Sequence, residues 1–321
     1  MSKRSVAIPL VAVLATAASC ALFASGDKDS AAPLERTTLR VGVGNPIDTA
    51  PLRIAVAAGK FKDAGLDVRL VDIGADEAVQ KLAAGDIDIT FASDVSLFRA
   101  AAGGTALQLQ GEAYTAGSNT MALVTLPGSD YTVPTAKKAP KIAVNMPDDV
   151  GALAARSVLG TAGVDVGKIQ FKQIPFDRMP AALQAGEADA ALMVEPFITR
   201  AEKDLGAHIL ADGARGATLD FPISGYAASK PFAQANPRTL AAFRAALGAA
   251  QQAAADPAVV REALPKFSDI DATTAALISL GSYPTSVNGV RLQRVADLMH
   301  NSGLLGDRLD VQALLPGTNG N

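Results

Sequence analysis

Asp94 and Glu195 are the residues whose placement most suggests chemistry. Asp94 closes the segment 82–94, LAAGDIDITFASD, and Glu195 closes 183–195, LQAGEADAALMVE; the two segments align without gaps at a shift of 101 positions. A carboxylate at a strand end can hold the cationic group of a small molecule. It can equally serve the helix that follows, capping free amides and complementing the dipole, and Pro196 suits a first helical position. Two such carboxylates brought together in one cleft would repel, and one pKa would rise unless a cation lay between them.

Asp48 and Asp149 precede helices in the same register and read as caps, with Asp148 beside the second. No Lys or Arg lies in the loops 44–49, 92–96, 145–150 and 194–197; Arg53 is one turn into a helix, and its counterpart is Ala154. An anion would have to rely on backbone amides at helix starts, against the charge of Asp48, Asp148 and Asp149. The balance predicts a zwitterion or an amine-bearing heterocycle rather than a bare anion.

Other chemistries are thinly represented. Cys20 is the single cysteine, so no disulfide within the chain and no thiolate cluster can form. His208 and His300 are far apart and read as surface or helix-end residues. No catalytic residue, metal site or cofactor is expected. Gly42 and Gly44 begin a dinucleotide-like pattern, but Ile47 occupies its third glycine position. A net charge of −3 without a long basic run argues against nucleic acid.

The repeat extends beyond the two acids. Val43, Pro46, Asp48 and Leu52 match Val144, Pro147, Asp149 and Leu153 at the same shift, and AGLDV (64–68) matches AGVDV (162–166) at a shift of 98. Each copy reads as a strand (Leu39 to Val43; Lys141 to Val144), a helix (about Ala50 to Ala64; about Gly151 to Ala162) and a second strand (Asp67 to Val71; Ile169 to Gln173). A short helix follows, opened by Asp76 or Asp177 and ended by Gly85 or Gly186. A third strand (Ile87 to Phe91; Ala188 to Met193) and another helix complete the copy. This alternation predicts an α/β protein of two lobes, each a mixed, mainly parallel sheet flanked by helices. After Asn236-Pro237, Asp256-Pro257 and Asp271, capped amphipathic helices are expected to pack back on the first lobe. The expected division is 1–36 signal and tether, 37–127 plus 228–321 lobe I, and 128–227 lobe II.

The N-terminus has the layout of a secretory signal: Lys3 and Arg4, an apolar run from Val6 to Ala18, then Ser19-Cys20. That run is shorter than the roughly 20 residues that span a bilayer. Residues 17–20, AASC, resemble a bacterial lipobox, with Ala17 where leucine is usual; Cys20 would then be lipidated and anchor the chain to a membrane. Cleavage after Ala24 or Gly26 is the alternative. Residues 25–36 read as a flexible tether.

In open parallel sheets, ligands sit outside the carboxyl ends of the strands. The loops at those ends, with 73–76, 175–178, 114–119 and 224–226, are therefore expected to face one cleft. From them the residues expected to contact a ligand are Asn45, Asp48, Thr49, Ser93, Asp94, Tyr114, Asn119, Asn145, Asp148, Val150, Glu195 and Tyr226.

Three stretches carry a family resemblance: LRIAVAAGKFKDAGLDV (52–68), LAAGDIDITFAS (82–93) and EPFITRA (195–201). Over roughly Thr38 to Ala250 the chain is similar to the substrate-binding proteins of nitrate, sulfonate, taurine and thiamine-precursor importers, a group that includes the NMT1/THI5-like domain. The resemblance implies a type II periplasmic-binding fold, two lobes closing by a hinge on a small ligand, and docking on an ABC permease with its cytoplasmic ATPase. It implies that the loop after the first strand, the strand end at Asp94 and the acidic-Pro motif at Glu195 border the ligand. It further implies an exported monomer, at the outer face of the cytoplasmic membrane or in the periplasm. MPDD (146–149) stands where many members carry small hydroxyl residues, which argues against sulfonate or nitrate. A lipid-anchored sensor of the same fold is the rival reading. A pyrimidine-forming or quinone enzyme of the superfamily is another, but the cysteine-rich motif of the first is missing and an export signal does not suit the second.

Overall fold

Short apolar runs make the centre of two sheets. The strands β1 (Thr38–Val43), β3 (Ile89–Ser93), β5 (Met121–Thr125), β6 (Lys141–Val144) and β8 (Ala190–Val194) are almost wholly buried, as strands covered on both faces must be. β2 (Asp67–Asp72) and β7 (Gln170–Gln173) lie at sheet edges and carry exposed polar residues. The computed structural model describes Met1 and residues 32–317, and from Leu34 onward the chain forms one compact unit. The signal-like segment and Cys20 lie outside the described residues.

The remaining strands are β4 (Leu107–Thr115), β9 (His208–Asp212) and β10 (Pro222–Ser229). The helices are α1 (Ala50–Ala57), α2 (Lys60–Asp63), α3 (Ala78–Ala84), α4 (Asp94–Ala102), α5 (Val150–Thr161), α6 (Met179–Gln184) and α7 (Phe197–Leu205). After β10 come α8 (Lys230–Ala235), α9 (Pro237–Ala253), α10 (Pro257–Phe267), α11 (Ala272–Leu277) and α12 (Gly289–Asn301).

The two sheets have orders β2-β1-β3-β10-β4 and β7-β6-β8-β5-β9. In each, the first three strands are parallel and the fourth runs antiparallel to both neighbours. The fourth strand is supplied reciprocally: the chain leaves the first sheet at β4 and enters the second at β5, then leaves at β9 and returns at β10. β5 therefore pairs with β8 and β9, although a boundary at 127 had placed it with the first lobe. Likewise β10 pairs with β3 and β4. Cross-strand hydrogen bonding decides membership here, and one strand's residues do not reveal their partner.

The repeat is physical. Asp88 Oδ2 accepts from the backbone N–H of Arg40 at 2.8 Å, and Asp189 Oδ2 accepts from that of Lys141 at 2.7 Å, so equivalent acids pin the start of the central strand in both lobes. Arg40 pairs with the first acid and Lys137 with the second. The expected helix 50–64 is broken into α1 and α2, because Gly59 adopts φ 73°, a left-handed exit. Gly85 ends α3 in the same way at φ 75°. Asp76 and Asp177 do not cap: α3 and α6 start at Ala78 and Met179 with no side-chain cap bond, and Asp177 lies in a 3-10 turn (Phe176–Arg178) instead. Asp256 and Asp271 do cap, accepting from Ala258 and Thr274.

The C-terminal helices pack on the first sheet's lobe as expected: α9 lies on α1, α2 and β4, and α12 on α4 and β10. Each sheet has an apolar cluster on both faces. On one face of the first, fully buried Phe243 stacks on Phe61 with centroids 5.5 Å apart and meets the edge of Tyr226 at 6.3 Å. Among the described residues, no helix is long and apolar enough to cross a membrane. Phe243→Ala leaves a cavity between α9 and the sheet and is expected to lower unfolding free energy by about 3–5 kcal/mol, read from urea denaturation.

Candidate functional site

The carboxyl ends of the central strands of both sheets meet across a cavity of about 510 Å³. From the first sheet come residues 44–48 after β1, 73–75 after β2, and Phe91, Ala92, Ser93 and Ser96 around the β3–α4 junction, with Tyr114, Ile223 and Ser224 beside them. From the second come Asn145, Met146 and 149–151 after β6, Phe176 and Asp177 after β7, and 194–197 with Arg200 after β8. Asp269 adds a wall from the C-terminal region.

Of the residues expected to contact a ligand, Asn45, Asp48, Ser93, Tyr114, Asn145, Val150 and Glu195 line this cavity. Five do not. Thr49 is fully buried behind the first loop, donating to the Asn45 carbonyl at 2.8 Å and accepting from Arg53 Nε. Asn119 holds a turn at φ 60°, and its N–H donates to Asp212. Asp148 is exposed, and its carbonyl accepts from Arg99 at 3.0 Å. Tyr226 is buried in β10 between Phe91 and Phe243.

The fifth is Asp94. It opens α4 but is 1% exposed and sits inside its own lobe. A Cβ at Gly225 would come within 2.9 Å of Asp94 Oδ1 and 3.0 Å of the Gly111 carbonyl, so a side chain there would crowd the carboxyl. Its Oδ2 has no hydrogen-bond partner among the described residues. Burial holds the carboxyl well above the usual range, and the nearby carboxylate of Glu112 raises it further; Arg291 only partly offsets this. Arg291 is occupied with Glu112, making two bonds of 2.9 Å.

Glu195 lines the cavity with its carboxylate already engaged. Oε2 accepts from the N–H of Thr199, and Oε1 accepts from the Thr199 hydroxyl and from the N–H of Ser279 at 2.9 Å. It serves the first turn of α7 and ties the C-terminal segment to it. Burial still raises its pKa, against those bonds.

Asp149 caps α5 through the N–H of Val150 at 2.7 Å, as its sequence position suggests. It also reaches across the cleft: Oδ1 accepts from Ser93 Oγ at 2.6 Å and Oδ2 from Ser96 Oγ at 3.2 Å. Other bonds cross nearby, including Asn45 Nδ2 to the Glu195 carbonyl at 3.4 Å.

Asp48 is not a cap. The cap position of α1 is Thr49, with no side-chain cap bond, and Asp48 Oδ2 instead accepts from Ser224 Oγ at 2.8 Å. Burial outweighs that bond and pushes the carboxyl up to about 7. Sequence reasoning also missed Ser96, Phe176, Phe197 and Arg200. Phe176 and Phe197 lie in the loops it selected, and their aromatic character was the signal. They stack at 5.3 Å and 19°. Arg200, the one base lining the cavity among the described residues, bonds Asp269 through both the carbonyl and the carboxylate. Among the described residues, no group of three His, Cys, Asp or Glu could hold a metal ion.

A model of the NMT1-like family matches residues 32–265. The alkanesulfonate-binding protein SsuA of Xanthomonas axonopodis pv. citri, bound to MOPS, superimposes with a TM-score of 0.72 at 18% identity, over 88% of this chain and 99% of that one. The aliphatic sulphonate-binding protein SsuA of Escherichia coli gives 0.69 at 20%, over 89% and 95%. The Candida albicans CA3427 gene product, which has the generic periplasmic binding protein fold, gives 0.73 at 16%, over 89% and 98%. The likeness establishes that fold for this chain. No curated protein matches it by sequence.

The buried acids make stability depend on pH. An Asp carboxyl titrates near 4 when unfolded, whereas Asp48 titrates at about 7 in the fold. The folded state binds that proton more tightly, so stability rises as pH falls from about 7 toward 4 and is lost as pH climbs through 7. Asp94, Asp149 and Glu195, all raised by burial, act in the same direction. The melting temperature is expected to increase by several degrees from about pH 8 to about pH 5.5, and Asp48→Asn to flatten the slope.

Proposed function

We propose that this chain, which belongs to the NMT1-like family, is the extracytoplasmic solute-binding component of an ABC-type importer and not an enzyme. Its cavity captures a small polar ligand, of the sulfonate- or taurine-like zwitterion or aminopyrimidine class, by hinge closure. The closed form then docks on a permease driven by a cytoplasmic ATPase. We place the protein at the outer face of the cytoplasmic membrane or in the periplasm, as a monomer held by a lipid on Cys20. Lobe I is read as the body around the first sheet with the C-terminal helices, and lobe II as the body around the second.

One observation carries this reading: the cavity lies where the carboxyl ends of two equivalent sheets face each other, joined by only two connections, 115–121 and 212–222. That is the arrangement in which rigid halves can open and close around a ligand. The family and the structural neighbours support it; two of those neighbours are named as sulfonate-binding proteins.

A ligand at 1,000 times its dissociation constant stabilises the closed form by about 4 kcal/mol, which for a chain of this size is a melting shift of several degrees or more. A thermal screen of amines, zwitterions, sulfonates and oxyanions is expected to yield at least one such shift; none across the panel would overturn the proposal. Asp149→Ala removes the carboxylate that both lobes share. It is expected to increase the radius of gyration in small-angle scattering and to weaken any ligand found by about tenfold or more.

A further inference from the structure

Two helix starts that open on the cavity, those of α5 and α7, already carry one of the protein's own carboxylates, and acids stand beside two more. Asp149 serves α5 and, through Ser93 and Ser96, the start of α4; Glu195 serves α7; Asp48 lies just ahead of α1. Two of the positions an anion would occupy are therefore filled, and the acids beside the others oppose it. Among the described residues, Asp149 and Glu195 each receive three hydrogen bonds from the protein, whereas Asp48 receives one from Ser224 besides that of its own backbone N–H.

We propose that Asp48 is the ligand's counter-charge, and that the cavity takes an organic monocation: a protonated amine or amidine on a flat apolar body, not a sulfonate or other anion. The inference rests on reading the cavity as a solute site and narrows what that site accepts.

The walls suit such a body. Phe91 and Tyr114 line the cavity from one lobe, and the stacked Phe176–Phe197 pair lines it from the other. Aromatic faces attract both flat apolar groups and cations. Asp94, Tyr114, Tyr226 and Tyr283 lie near Asp48, and the nearby Arg53 is engaged by Asp72, Thr49 and the Gly44 carbonyl. Across the cavity lie Asp149, Glu195 and Arg200, the last taken by Asp269. A buried carboxylate in this setting holds a proton or meets a cation. A bound monocation replaces the proton, which leaves to solvent.

The test uses three probes that share one ring and differ in the head: benzylamine, benzyl alcohol and benzenesulfonate. Calorimetric titration of the full chain is expected to show benzylamine binding at least about tenfold more tightly than the alcohol, the advantage of a charge-assisted bond, with benzenesulfonate weakest. Repeating the benzylamine titration near pH 6 in two buffers of different ionisation enthalpy is expected to show proton release. Asp48→Asn, which can still accept from Ser224, is expected to lower benzylamine affinity about tenfold or more and to abolish the release. No benzylamine binding, benzenesulfonate binding as tightly as benzylamine, or full benzylamine affinity in the Asn variant would each overturn the inference. The first three measurements need only the unmodified chain, so misfolding of the variant does not protect the idea. A sulfonate that binds and closes the lobes overturns the charge assignment alone, while silence across the wider ligand panel overturns the solute-site reading as well.

Discussion

A single carboxylate, that of Asp149, joins the two halves of the molecule where they matter most. It caps the first helix after β6 and takes hydroxyl hydrogen bonds from Ser93 and Ser96 at the start of α4. Asp149 is 5% exposed, so its charge has little water to fall back on. A buried charge stripped of its donors is costly, by several kcal/mol, whereas the satisfied group is nearly neutral to stability. The two helix starts are thereby held in one relative position, and the shape of the cavity between them follows. More exposed contacts, such as that of Arg99 with Asp148, reinforce the same seam with less at stake.

The exchange of fourth strands sets how the two bodies are joined. Each sheet is completed by a strand that the chain lays down just after crossing over, so neither half is finished without the other's connection. Two short connections then join bodies that are each packed on both sheet faces. The first is also anchored: Thr115 bridges to Ser282, and the Tyr114 hydroxyl accepts from the N–H of Gly281. Gly281 is a place where only a missing side chain permits the approach, since a Cβ there would overlap the Thr115 carbonyl.

Duplication has been kept for scaffolding and abandoned for chemistry. Asp88 and Asp189 do the same work in both lobes, holding the start of a central strand. Asp94 and Glu195 occupy equally matched positions yet share no role. One is enclosed within its lobe beside Glu112; the other borders the cavity and fastens α7 to the C-terminal segment. Asp48 lines the cavity and accepts from Ser224 of its own sheet, whereas its counterpart by register, Asp149, accepts from hydroxyls on the facing helix start.

What could be read from the residues alone was what depends on near neighbours. Apolar runs and their spacing revealed most strands of the two sheets, the doubled unit and the caps at Asp149, Asp256 and Asp271, because those forces act within a few residues along the chain. The loops bordering the cavity were legible too, since the carboxyl ends of parallel strands meet wherever two such sheets face each other. Only the tertiary structure decided which acids face the cavity. The raised carboxyl of Asp94 reflects Glu112, the altered role of Asp48 depends on Ser224, and the cross-cleft bonds of Asp149 depend on Ser93 and Ser96. Each partner is more than 15 residues away along the chain. The electrostatic state of a carboxyl is set by what surrounds it in three dimensions, and a linear pattern carries no record of that surrounding.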